Sequence, residues 1–279
     1  MRGGADGGAS PRPALLAADE PQAVLRENGA ATGCGVVTCD HASNRIPRAL
    51  DGLGLPVEAL DAHIAWDIGA AAVASRIAVA LDLPLLRTAW SRLVADCNRM
   101  PRGRGCLPPL SDGRLVPGNL GLDDAARAAR IDTFHRPYHD AIGAELERRG
   151  HDGRVPAVIS VHSFTPRMHG LLREWHVGVL WDSDPRLPIP LMEALRAERG
   201  LRVGDNLPYS GRHPDDYTVD LHGEAAGRPY VSIELRQDLV ADETGQAEWA
   251  ARLVHALAPV LADPALYTRW PGAKAGRTA

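Results

Sequence analysis

The chain has 279 residues, 45% of them hydrophobic, and a formal net charge of -4. That length and apolar content suit one large α/β core in a single domain, and the absence of excess basic charge argues against nucleic acid as a partner. No stretch approaches the ~18 consecutive apolar residues of a membrane span, so no membrane partner is expected.

The early apolar run Ala14–Ala18 is shorter than a secretory h-region of roughly 7–15 residues. Cys34, Cys39, Cys97 and Cys106 show no C-x-x-C spacing, which argues against a zinc ribbon or a thioredoxin motif. A reduced, cytoplasmic protein is the expectation. Lys274 is the only lysine among 31 basic residues, so a carboxylate-binding site here would use forked guanidinium groups.

Residues 1–20 are rich in Gly, Ala and Pro without periodicity and are expected to form a tail. Residues 21–268 form the expected catalytic domain, and 269–279 a second tail. Val36 to Cys39 reads as a buried strand running into the polar stretch Asp40-His41-Ala42-Ser43-Asn44-Arg45, the pattern of an α/β sheet where a strand ends at a ligand site. Ile64, Ile68, Ala71, Ala72, Ser75 and Val79 stand at helical spacings between His63 and Leu81, and a strand follows near Leu85-Leu86. Leu93-Val94-Ala95 is a short apolar run with Arg92 before it and Asp96, Asn98 and Arg99 after it. Read as strand-end groups, the two arginines and Asn98 suit a substrate carboxylate; Arg92 and Asp96 are otherwise paired or surface charges.

Residues 100–122 hold five glycines and four prolines and read as a long binding loop. Ile131, Phe134, Tyr138, Ile142 and Leu146 mark an amphipathic helix, interrupted or restarted at Pro137. On it His135 and His139 have the spacing of two metal ligands, but the Glu of an H-E-x-x-H helix is missing, and a substrate-contacting or capping role for His139 is the stronger reading. Val155 to Val161 is a strand that delivers His162, Ser163, Phe164 and Thr165 before Pro166. Val177 to Trp181 is another, followed by a helix from Leu187 to Glu198. Val203 to Gly211 is polar and turn-rich, with Asn206, Tyr209 and Ser210 suited to a small polar ligand. Tyr230 to Leu235 is a strand carrying Glu234 in or beside apolar surroundings, a costly place for a carboxylate unless it is paired or does chemistry. A helix from Glu243 to Leu261 closes the core.

Two histidines and a glutamate from three strand ends make a plausible zinc hydrolase site, since catalytic zinc takes three protein ligands and leaves a water position open. Seven motifs carry a resemblance: residues 39–47 (Cys39 to Pro47), 63–69 (His63 to Gly69), 91–99 (Ser91 to Arg99), 137–139 (Pro137 to His139), 160–166 (Ser160 to Pro166), 206–211 (Asn206 to Gly211) and 233–238 (Ile233 to Asp238). In this order, over roughly residues 35–260, the chain resembles the N-formylglutamate amidohydrolase family.

The resemblance implies a zinc carboxypeptidase-like and aspartoacylase-like α/β fold, with a mixed, mainly parallel sheet flanked by helices. It implies one zinc per chain, His41 and His162 as ligands, and Glu234 as general base. Zinc carboxypeptidases carry a Glu three residues after the first ligand His, where this chain has Asn44; the third ligand is then Asn44, Asp40, Asp67 or a second water. The expected reaction is hydrolysis of N-formyl-L-glutamate to formate and L-glutamate. Arg92, Arg99 and Arg236 would bind carboxylates, Asn206, Tyr209 and Ser163 would contact substrate, and Asn98 or His139 would steady the oxyanion. The alternatives are a zinc amidase for another N-acyl amino acid or short peptide, a cysteine amidase using Cys39, and a non-catalytic binding protein. The oligomeric state stays open, a homo-oligomer included.

Overall fold

The computed structural model describes residues 14–151, 153–212 and 216–272. The expected tails therefore lie partly outside the described residues, although Leu15 and Leu16 pack onto a buried apolar cluster around Trp90 and Leu93. Among the described residues seven strands build one sheet: β1 (Val24–Glu27), β2 (Gly35–Cys39), β3 (Leu85–Thr88), β4 (Ala157–Phe164), β5 (Val177–Leu180), β6 (Val203–Asp205) and β7 (Tyr230–Arg236). Their order is β1-β3-β2-β4-β7-β5-β6. The central strands β3, β2, β4 and β7 are mutually parallel, while β1 and the β5–β6 pair run against them. The expected single-domain α/β architecture with a mixed, mainly parallel sheet is the one observed.

Strand periodicity separates the two faces. Val37, Ile159, Val161, Ile233 and Leu235 meet a layer of helices: α1 (Ala70–Ala80), α3 (Pro188–Arg196) and α4 (Glu243–Leu261), which present Val73 and Ile77, Leu191 and Leu195, and Trp249, Leu253 and Leu257. Each such fully buried side chain contributes about 1.5–3 kcal/mol. Asp242 caps α4 by accepting from the Gly245 N–H at 2.9 Å. On the opposite face Val36, Val158 and Tyr230 pack beneath Tyr138, Ile142 and Leu146 of α2 (Arg136–Arg149). Along that face the chemistry changes towards the C-terminal ends of the parallel strands. The row Thr38, Ser160 and Ser232 is in register, and the next row pairs His162 with Glu234. The sheet itself thus turns from apolar to hydroxyl to ionisable.

Five local readings change. The helix expected from His63 begins only at Ala70, because Gly69 takes a left-handed φ of 80° and a Cβ there would lie 2.1 Å from the Val240 carbonyl oxygen. The preceding turn is tied by the Asp67 N–H donating to the His41 carbonyl at 2.9 Å. Strand β4 runs through His162 and Ser163 to Phe164, and Val203–Asp205 is an edge strand rather than loop. Residues 91–99 are buried turns, not a strand end, because side chains replace ladder bonds: Ser91 Oγ donates to Ala65 O and Asp96 Oδ1 accepts from Asn98 N–H. The helix restarts without a break at Pro137, since a π-turn at Ile131–His135 links the preceding helix to α2.

Candidate active site

At the C-terminal edge of β2 and on β4, His41 and His162 converge on one carboxylate. His41 Nδ1 lies 3.3 Å and His162 Nδ1 2.9 Å from Asp67 Oδ2. Their other nitrogens are also held: His41 Nε2 is 2.7 Å from Asp96 Oδ1, and His162 Nε2 is 3.1 Å from Asp40 Oδ2. A carboxylate on each Nε2 fixes both ring orientations so that the two Nδ1 atoms face Asp67, the outer-ligand arrangement that orients metal-binding histidines. The carboxylates are braced in turn. Arg92 donates to Asp96 Oδ2 through Nε at 3.0 Å and Nη2 at 2.7 Å, and Thr218 Oγ1 donates to Asp40 Oδ1 at 3.0 Å.

With both imidazoles neutral, as metal ligation requires, Asp40, Asp67 and Asp96 outnumber the one guanidinium among them, and the buried cluster attracts a cation. Burial and Arg92 oppose a charge on His41 and burial opposes one on His162, yet the neighbouring carboxylates raise both imidazole pKa values. Burial alone would push the Asp40 carboxyl up; the hydrogen bond and charge of His162 bring it down to about 2. Among the described residues His41, Asp67 and His162 form the one group of three donors close enough to share a metal ion, and a set of two imidazoles and a carboxylate suits zinc.

Glu234, next to His162 across the β4–β7 pairing, is 8% exposed and leaves Oε2 without a hydrogen-bond partner. Burial, followed by the charges of Asp67 and Asp216, pushes its carboxyl up to about 7, against the pull of His162 and His41. On its other side is Gly178, where a Cβ would meet the Leu207 carbonyl oxygen at 2.3 Å. The missing side chain lets the loop carrying Tyr209 close over Glu234. The cleft so formed has a volume of about 640 Å³, and His41, Asp67, Arg92, Asn98, Glu234 and Tyr209 line it, with Arg99, Ser163 and Asp216. An orphaned carboxylate oxygen beside three donors close enough to share a metal ion gives the cleft a polar, acidic floor.

The model of the N-formylglutamate amidohydrolase family matches residues 34–241. The chain belongs to the N-formylglutamate amidohydrolase family. Gene product Atu2144 from Agrobacterium tumefaciens has a similar structure at 37% identity, with 88% of this chain and 98% of that one covered and a TM-score of 0.85. N-formylglutamate amidohydrolase from Ralstonia eutropha JMP134 shares the fold at 19% identity and a TM-score of 0.59, with 86% and 97% covered. Comparison with curated proteins yields no match.

Against this amidohydrolase frame the residues singled out from the sequence divide. His41, His162, Glu234, Asn98, Arg92, Arg99, Tyr209 and Ser163 line the cleft. Asn44 does not: its Nδ2 donates to Asp61 Oδ1 at 3.2 Å, and Asp67 stands between the histidines instead. Arg236 is spent on Asp238 and on the carbonyls of residues 173–175. Asn206 braces its own loop, its Oδ1 accepting from Trp181 N–H and Gly211 N–H at 3.1 and 2.8 Å. Arg92 neutralises Asp96 and reaches Asp67 Oδ1 at 3.5 Å, so its charge serves the cluster.

His135 and His139 share a helix face as their spacing predicts, with ring centroids 4.5 Å apart, but they grip backbone: His135 Nε2–H donates to Arg99 O at 2.9 Å and His139 Nε2–H to Cys97 O at 2.8 Å. His139 Nδ1 then accepts from His222 Nε2–H at 3.1 Å. This chain of neutral imidazoles anchors the segment bearing Asn98, which lines the cleft and whose Oδ1 accepts from Thr218 N–H at 3.0 Å.

Burial lowers the His139 pKa to about 3 and the His222 pKa to about 4. Both are depressed below the unfolded value of 6.5, so their contribution to stability is complete above pH 6.5 and is lost as pH falls towards 4. His222→Gln keeps an N–H donor and does not titrate. Between pH 7 and pH 5 urea unfolding is expected to move the variant's stability relative to wild type upward by about 2 kcal/mol; parallel pH profiles would contradict the assignment.

Cys39 points to the opposite face, into the α1–α4 core, and burial drives its thiol pKa up. All four cysteines are buried. Iodoacetamide under native conditions is therefore expected to leave catalytic activity intact, and stoichiometric inactivation would restore the cysteine amidase reading.

Proposed function

We propose that this protein is a zinc-dependent cytoplasmic enzyme that hydrolyses the formamide of an N-formyl amino acid, with N-formyl-L-glutamate giving formate and L-glutamate as the simplest case. The observation that carries the reading is Glu234: a buried carboxylate with an unpartnered oxygen, in the same cleft as the His41–Asp67–His162 group. A divalent ion held by those three residues supplies Lewis-acid polarisation and a water of lowered pKa.

The chain's own residues account for the rest of the reaction. Glu234 takes a proton from the attacking water and returns it to the departing nitrogen. Asn98 Nδ2 donates to the carbonyl oxygen as charge develops there, and His139 keeps Asn98 in place through the Cys97 carbonyl. Arg99, with Tyr209 and Ser163, receives substrate carboxylates.

A second reading, an amidase for a larger N-acyl amino acid or short peptide, is favoured by the cleft volume of about 640 Å³ and by exposed Leu110 on its rim, a size that encloses ligands well beyond a formyl group. Rates measured on N-formyl, N-acetyl and longer N-acyl derivatives of glutamate, with formyl derivatives of neutral amino acids beside them, separate the two. A kcat/KM that peaks at N-formyl-L-glutamate supports the first reading, and one that rises with acyl length supports the second.

A further inference from the structure

Asp216 has no role in the scheme above, yet it is 5% exposed, lines the cleft together with Glu234 and Asn98, and leaves Oδ1 without a hydrogen-bond partner. Its position is fixed by the residues that follow. Tyr217 N–H donates to Asn98 O at 3.4 Å, Thr218 N–H to Asn98 Oδ1 at 3.0 Å, and Thr218 Oγ1 to Asp40 Oδ1 at 3.0 Å. The segment is thus tied to the oxyanion donor on one side and to the partner of His162 on the other. The charge of Asp216 is also felt at Glu234, where it adds to burial in raising that carboxyl.

A buried carboxylate oxygen without a donor among the described residues can take one from a bound ligand. A second metal is a poor candidate, because among the described residues no three-donor group includes Asp216. The scissile amide of an N-acyl amino acid and the ammonium of its product each bring a nitrogen that carries hydrogen.

Resting on the formamide reading, we propose that Asp216 accepts the N–H of the scissile amide and then holds the ammonium group of the released amino acid. In the reaction the water oxygen bonds to the formyl carbon, and the C–N bond breaks with its electron pair remaining on nitrogen. The nitrogen takes up the protons of the water and of the formic acid first formed, so that R–NH–CHO and H2O give R–NH3⁺ and HCOO⁻. With its N–H directed at Asp216, the nitrogen lone pair that emerges as the amide loses planarity faces Glu234, the proton donor. Asp216 itself forms only a hydrogen bond, and no co-reactant is required.

The test compares N-formyl-L-glutamate with N-formyl-N-methyl-L-glutamate, which lacks the N–H. Wild type is expected to favour the first by at least about ten-fold in kcat/KM, because a site built for an N–H rejects the analogue without it. Asp216→Asn is expected to lose about 100-fold on the N–H substrate and little on the methylated one, whereas a merely structural defect lowers both alike. A comparison on wild type alone guards against a variant that fails to fold: L-glutamate should inhibit at least about ten-fold better than glutarate, which lacks the amino group. Formate release by wild type with no N–H preference and equal inhibition by the two acids overturns the role of Asp216 alone. No formate release from either substrate overturns the formamide reading, and this inference with it.

Discussion

Glu234→Gln is expected to cut formate release by about 10²–10⁴-fold, the range for loss of a positioned general base, with metal content unchanged. Gln fills the same buried space beside His162 and adds no charge, so the fold and the three donors are preserved while proton acceptance is lost. The pH profile carries an independent signature. With the carboxyl pushed up to about 7 by burial, the base is increasingly protonated on the acid side, and kcat/KM should rise with pH through that region. Glu234→Gln should lose this limb. A variant that keeps wild-type turnover, or keeps the limb at reduced turnover, would remove Glu234 from the mechanism.

A comparably large effect is expected at Asp67. Asp67→Ala deletes the one carboxylate on which both Nδ1 atoms converge, and should leave the purified protein without its metal and with activity reduced by at least about 10³-fold. Part of that loss comes from repulsion, since Arg92 and the two imidazoles are left facing one another with less negative charge between them. Asn44→Ala is the matched control: its amide meets Asp61 outside the cluster, so metal content and kcat should stay within about two-fold of wild type. Metal loss in Asn44→Ala with retention in Asp67→Ala would reverse the ligand assignment. Both are read by elemental analysis and formate release on the same preparations.

The contrast between these residues shows what the sequence disclosed. His41, His162 and Glu234 were legible because each sits where an apolar strand meets polar residues, and the two-residue strand period puts His162 and Glu234 on the face turned away from the α1–α4 core. The central strands β2, β4 and β7 were legible as apolar runs, α3 by the Gly200 that closes it, and α4 by the spacing of four between Trp249, Leu253, Leu257 and Leu261. Edge strand β6 is only three residues long, and β1 reads Val-Leu-Arg-Glu, whose two apolar residues do not make a run that registers as a strand.

Asp67 was harder, because the apolar spacing around it continues a helix pattern that only the left-handed Gly69 and its contact with Val240 interrupt. Asp96 reads as an ordinary partner for Arg92 four residues earlier, and that pairing exists; its second contact, with His41, comes from a buried turn with no hydrophobic period. The i,i+4 spacing of His135 and His139 predicts their shared face correctly, while the ligand each nitrogen finds is decided by backbone carbonyls at positions 97 and 99. Asn206 and Arg236 look like ligand groups by type, but a loop with left-handed backbone at Asn206 and a carbonyl cluster at 173–175 use them internally.

Formate release from N-formyl-L-glutamate by the purified protein, followed before and after chelation and again after zinc is restored, tests the central claim most directly. The account predicts release that chelation abolishes and about one zinc per chain restores. Release that persists unchanged in metal-free protein would contradict it.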